Sequence, residues 1–165
     1  MWIDAVAGFQ KSLAALPLTI YQAGETVLAE GSRTDRLLIL RKGNVAVLKE
    51  GIEIARVTEP GAVFGEISAL LDCPHTADVR ALAPSQFHVV HAAALQDPAV
   101  LLYVAAMLAR RLDGANLALV DLKSHIRVGK PRRVINKTIE QMEALLGAGG
   151  ANFGLYSGYA PNPLA

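Results

Sequence analysis

From Leu18 to Val90 the chain is cut by Gly24, Gly31, Gly43, Gly51, Gly61 and Gly65 into short segments rich in Val, Ile and Leu. Short apolar runs bounded by turn residues are the pattern of many strands joined by turns, so an antiparallel sandwich or barrel is expected. The strands read from it are Thr26 to Leu28, Arg36 to Leu40, Val45 to Lys49, Ile52 to Val57 and Phe87 to His91, with Glu50-Gly51 as a hairpin turn. A chain of 165 residues accommodates one such domain with a proper core, plus appendages.

The appendages are helical. Val6, Phe9, Leu13 and Leu16 are loosely spaced as on a helix and Pro17 ends the pattern, which places a leading helix over residues 1–17 and the β domain over 18–95. A long helical segment follows over 96–127. In it Leu101, Ala105, Leu108, Leu112, Ala115, Leu119, Leu122 and Ile126 alternate four and three apart, a seam sustained for roughly three and a half heptads. Such a seam needs a partner helix. Leu101 to Leu112 either packs on the β domain, with Gly114 as a joint between two helices, or continues the seam. Ala115 to Ile126 has no home on a small β domain, so a parallel homodimer through the helix around Leu108 to Ile126 is expected.

Residues 128–165 hold the end of a basic block, a short helix over Val134 to Leu146, and a Gly/Ala/Pro-rich tail from Gly147 that has no core of its own. The block runs from Lys123 to Lys137 and contains Arg127, Lys130, Arg132 and Arg133 with no acidic residue. Elsewhere charge is balanced, at a net +1 with 52% hydrophobic residues, so any charged partner must be met locally. A single cysteine, Cys73, excludes an internal disulfide framework and suits a reducing cytoplasm. The N-terminus lacks the pattern of a signal peptide, and no apolar run reaches the roughly 18 residues of a spanning helix, so a soluble protein off the membrane is expected.

The chemistry lies between Pro60 and Ala81. Gly65 lets a ligand approach the backbone, Glu66 to Leu71 can form one or two helical turns, and Pro74 ends them. A helix start directly after a glycine presents backbone N–H groups and the positive end of the dipole, which favours an anion such as phosphate. Glu66 beside it can accept hydrogen bonds from a sugar hydroxyl. Taken alone, Phe64-Gly65-Glu66 is also an ordinary turn into a helix, Glu66 a dipole-favoured acid, and Thr76 a β-branched strand residue.

The stretch from Pro60 to Ala81 resembles the phosphate-binding cassette of the cyclic-nucleotide-binding domain family, found in catabolite-activator-type regulators, kinase regulatory subunits and gated channels. Upstream, Tyr21 to Gly31 and Leu37 to Gly43 are similar to the family's opening strands and their glycines. Downstream, Leu108 to Leu112 and Asn116 are similar to its long closing helix. The resemblance spans roughly residues 10 to 125. It implies a mainly β fold with α, an antiparallel β-roll or jelly-roll of about eight strands flanked by an N-terminal helix and a long C-terminal dimerisation helix, holding cAMP or cGMP. It implies a ligand site of Phe64, Gly65, Glu66, Ile67, Ser68, His75, Thr76 and Ala77. In that site Gly65 and the backbone of Glu66 and Ile67 hold the phosphate, the Glu66 carboxylate takes the ribose 2′-hydroxyl, and Thr76 offers a hydroxyl.

One departure stands out. The family usually places an arginine directly after the cassette proline, where this chain has His75. Arginine brings a permanent charge and a planar fork, histidine a charge only below a pKa near 6.5. Losing a desolvated charge pair costs several kcal/mol and moves a micromolar ligand toward millimolar. Arg80, about 13 Å along a regular strand from Thr76, is a poor substitute. Arg56, or a basic side chain of the final helix, is left as the alternative.

The set Cys73, His75, His88 and His91 lacks metal-ligand spacing, so no metal is expected. No nucleophile–base constellation or nucleotide loop presents itself, so no enzyme activity is expected. The residues after Ile126 hold at most one helix, so sequence-specific DNA binding is expected to be absent. The reading is a cytoplasmic module that senses a cyclic nucleotide and relays it through its C-terminal helices to its own dimer or to a protein partner of unknown identity. The alternatives are a β-roll that has lost its ligand and serves for dimerisation or docking, or a truncated transcription regulator.

Overall fold

The computed structural model describes residues 8, 9, 11–128, 136, 137, 139 and 140. Eight strands form two four-stranded antiparallel sheets. One sheet has the order β1 (Leu18–Tyr21), β8 (Ser85–His91), β3 (Arg36–Lys42), β6 (Val63–Phe64); the other has β2 (Thr26–Leu28), β7 (Asp78–Ala81), β4 (Val45–Lys49), β5 (Ile52–Val57). Between β6 and β7 the chain makes a short helix, α1 (Glu66–Leu71), and after β8 a 3-10 turn, Ala92–Gln96, leads into the long helix α2 (Pro98–Arg127).

Strand β3 shows how the layers are built. Its run Leu37, Leu38, Ile39, Leu40 is buried on every residue, as a strand covered on both faces must be. Leu38 and Leu40 face into the roll with Val45, Val57, Phe64 and Phe87. Leu37 and Ile39 face outward and pack with Val100, Tyr103, Val104 and Met107 of α2 and with Phe9. Tyr103, fully buried, closes this second core: its hydroxyl donates to the Gly61 carbonyl at 2.7 Å, and the Phe9 ring meets it edge-on at 5.2 Å.

The start of α2 is fixed locally. Asp97 caps it, its carboxylate accepting from the Ala99 amide at 2.8 Å, and Pro98 occupies the first turn, where no N–H is needed. The helix runs through Gly114 without interruption, so the joint entertained there does not exist. The face of α2 that packs on the roll is Val100, Tyr103, Val104 and Met107, with Leu108 of the heptad seam partly buried against it. Along the seam, Leu101, Leu112, Leu119 and Ile126 are 42%, 63%, 44% and 59% exposed.

Three of the five strands read from sequence have the expected bounds, β3 extends to Lys42 and β8 begins at Ser85. The leading helix is seen at residues 8, 9, 11 and 12, followed by a 3-10 turn over Leu13–Ala15; residues 1–7 and 10 lie outside the described set. Of the second short helix, residues 136, 137, 139 and 140 are helical. The remainder of that helix, Lys130, Arg132 and Arg133 of the basic block, and the tail over 147–165 lie outside the described residues. No described helix is long and apolar enough to cross a membrane.

Candidate functional site

A cavity of about 250 Å³ opens where α1 meets the inner sheet face, walled by Leu28, Val47, Val57 and Val79 and by Phe64, Gly65, Glu66, Ile67, Ser68, His75, Ala77 and Arg111. Seven of the eight residues expected at the site therefore line one space. Thr76 does not: it is exposed, in a bend before β7, and stands outside the lining.

Gly65 is there because its backbone demands it. It caps α1 in the left-handed region at φ 86°, and a Cβ on it would stand 2.8 Å from the Arg36 carbonyl oxygen and 3.5 Å from the His75 ring. The turn this permits aims the amides of Glu66, Ile67 and Ser68 out of the first turn, ahead of the first intrahelical bond from Ala69 N to Gly65 O at 3.1 Å. Ser68 folds the other end of α1, its hydroxyl donating to the Cys73 carbonyl at 2.6 Å.

Glu66, 4% exposed, sits at the start of α1. Arg111, from the middle of α2, donates from Nη1 to Glu66 Oε1 at 2.6 Å and from Nη2 to the Val63 carbonyl at 2.7 Å, with its guanidinium carbon 6.0 Å from the Phe64 ring centre. Its third donor, Nε, is buried and makes no hydrogen bond. Burial pushes the Glu66 carboxyl up, against the opposing pull of the Arg111 charge and of its own amide.

His75 is not a charge in waiting. It is 4% exposed and burial pushes its pKa down, which favours the neutral ring. Its Nε2 shares a hydrogen bond with Thr34 Oγ1 at 2.8 Å, and its backbone N–H and C=O pair with Ser32 and Gly31 at 2.8 Å each, so the residue ties the cassette to the turn after β2. Arg56 and Arg80 stand outside the cavity lining, in ion pairs with Glu53 and Asp78. The basic side chain that lines the cavity is Arg111, from the middle of α2.

In the sequence Arg111 stands within Leu108 to Leu112, the stretch similar to the family's closing helix, with no role assigned to it. A signal was present: Val100, Val104, Met107, Arg111, Gly114 and Ala118 recur at four and three residues, and the others in that row are buried. A cation interrupting a buried row is a cation turned toward the protein. Of the histidines, His88 is buried and His91 exposed, and no group of three His, Cys, Asp or Glu able to hold a metal occurs among the described residues.

Residues 18–97 match the family described as cyclic nucleotide-binding domain. The chain is 35% identical over 75 residues to cGMP-dependent protein kinase egl-4 of Caenorhabditis briggsae, a stretch making up 46% of this chain and 10% of that protein. It is 37% identical over 116 residues to Glutaminase 2 of Bradyrhizobium diazoefficiens, covering 63% of this chain and 18% of that protein. Catabolite Activator Protein of Thermus thermophilus shares the fold, with a TM-score of 0.57 at 20% identity over 85% of this chain and 81% of that one. The chain thus spans under a fifth of the length of either curated relative.

Proposed function

We propose that the protein, whose residues 18–97 match the cyclic nucleotide-binding domain family, is a non-catalytic regulatory module that takes cAMP or cGMP in the α1 cavity. The observation that carries the reading is the convergence of Phe64, Gly65, Glu66, Ile67, Ser68, His75 and Ala77 on a single apolar-walled space closed by a side chain of α2. The amides at the start of α1 face a phosphate, the Glu66 carboxylate accepts a sugar hydroxyl, and the aliphatic walls take a base. Arg111 supports the fit, since it lines the cavity and its terminal nitrogens each keep a second N–H for a ligand acceptor.

Because Arg111 closes the cavity from α2, occupancy of the cavity and placement of the long helix act on the same bonds. The exposed seam of α2 then passes the signal to a second copy of the chain, as a homodimer through Leu108 to Ile126. The setting is cytoplasmic, in keeping with a lone free thiol at Cys73. Titration calorimetry with cAMP and cGMP tests the reading: saturable heat with one site per chain supports it, and absence of heat with both removes it.

A second reading, that the roll has lost its ligand and serves as a dimerisation or docking module, is favoured by one observation. The acceptor expected to take the sugar is already held by Arg111. Under it His75→Arg creates no tight binding of cAMP, whereas a gain of affinity in His75→Arg marks a pocket otherwise intact.

A further inference from the structure

An anion entering a cavity walled by valine and leucine must be met by a charge or a dense set of donors, because desolvating it without a partner costs several kcal/mol. Two ionisable side chains of fixed sign line this cavity, the acid Glu66 and the base Arg111, and they lie on different elements. His75 lines the cavity, but its Nε2 is committed to Thr34 and burial favours its neutral ring, so it brings no permanent charge. Arg56 and Arg80 are outside the lining. Among the described residues, any permanent positive charge at the cavity is that of Arg111.

Arg111 is also incompletely used. Two of its donor nitrogens are bound, to the Glu66 carboxylate and the Val63 carbonyl, and Nε is buried without an acceptor. The two bound terminal nitrogens each carry a second N–H, and the side chain lines the cavity, 19% exposed, so engaging a ligand oxygen does not require it to abandon Glu66. We propose that Arg111 reads the negative charge of the ligand, so that this cavity selects an anionic nucleotide over its neutral nucleoside through a cation delivered by the long helix. The inference rests on the function proposed above and names the residue that sets the selectivity of that site.

The test compares ligands as well as variants. The full chain, its Arg111→Lys and Arg111→Gln forms and the double variant Glu66→Gln/Arg111→Gln are titrated with cAMP, cGMP, adenosine and guanosine. In the wild type the nucleotide binds at least about tenfold more tightly than its nucleoside, as a charge-assisted contact requires. In Arg111→Gln that ratio collapses toward one, and Arg111→Lys keeps part of the preference. If Arg111 merely holds Glu66 in place, nucleotide and nucleoside weaken by the same factor and the ratio persists, which overturns the proposal. The double variant leaves no buried charge unpaired and answers the same question should Arg111→Gln fail to fold. A wild type that binds nucleotide and nucleoside equally overturns the role of Arg111 while leaving the proposed function standing. A wild type that binds none of the four removes both.

Discussion

Arg111 and Glu66, 45 residues apart in sequence, are joined by a 2.6 Å hydrogen bond that fastens the middle of the long helix α2 to the first residue of the short helix α1. The two partners are unequal: the Glu66 side chain is 5% exposed and the Arg111 side chain 19%. Removing the cation strands a charge that water reaches poorly, whereas removing the acid strands one that water reaches better.

Arg111→Ala is therefore expected to lower the unfolding free energy by roughly 2–3 kcal/mol, somewhat less than a fully buried pair broken on one side. Glu66→Gln is expected to cost under about 1 kcal/mol, since burial already opposes the carboxylate charge and glutamine keeps an acceptor for Arg111. Urea denaturation of both variants checks the order. The pH dependence has a definite sign. A carboxyl whose folded pKa is raised contributes stability below its unfolded value of 4.5 and loses it as pH rises through the folded one. Wild type must therefore gain on Glu66→Gln as the solution is acidified; a difference that is flat with pH contradicts the raised pKa.

His75 acts in the opposite direction. Burial lowers its pKa from 6.5, so the neutral ring belongs to the folded state and protonation to the unfolded chain. Its contribution is complete above pH 6.5 and is lost as pH falls through the lowered folded value. Melting temperatures recorded from pH 8 to pH 5 should fall more steeply for wild type than for His75→Gln, which retains a partner for Thr34. His88 titrates in the same sense, so a residual slope is expected in the variant, and equal slopes would show that the His75 pKa is the same in the folded and unfolded chain.

What was readable in the sequence follows from where each constraint is stored. β2, β4 and β5 were legible because alternation and flanking turns are local, and Glu66 to Leu71 because a positive-φ glycine and a following proline bound it. β6 is two residues long, too short for any period, and β7 carries Asp78 and Arg80 on its outward face, which masks its inward Val79 and Ala81. Of the cavity wall, Phe64 to Ser68, His75 and Ala77 were legible. Its last member, Arg111, was not, because the docking angle of α2 decides whether a helix residue faces the cavity, and that angle is set by Tyr103, Val104 and Met107 packing on Leu37 and Ile39. Thr76 fell outside because the bend before β7 turns it to solvent.

Gly65→Ala isolates the turn from the chemistry. The left-handed conformation alone costs a non-glycine residue about 1–3 kcal/mol, and the new methyl would stand 2.8 Å from a backbone oxygen of Arg36 that cannot move without disturbing β3. A loss of roughly 3 kcal/mol or more in urea unfolding is expected, with ligand binding impaired even where the fold survives. A neutral effect would mean that α1 can start in another conformation.

The seam of α2 supplies the last expectation. Val100, Tyr103, Val104 and Met107 hold the helix to the roll, so Leu112 and Leu119, 63% and 44% exposed, contribute little to the protomer. A row of leucine and alanine at heptad spacing buries itself against a like row, and an aspartate in that row would be desolvated without a partner. Sedimentation velocity should find wild type as a dimer and Leu112→Asp/Leu119→Asp as a monomer, with the roll's melting temperature nearly unchanged when measured at a concentration where wild type has dissociated. If the wild type sediments as a monomer at concentrations of order 100 μM, where even a weak coiled-coil pair associates, the seam faces some other partner and the two copies do not meet through it.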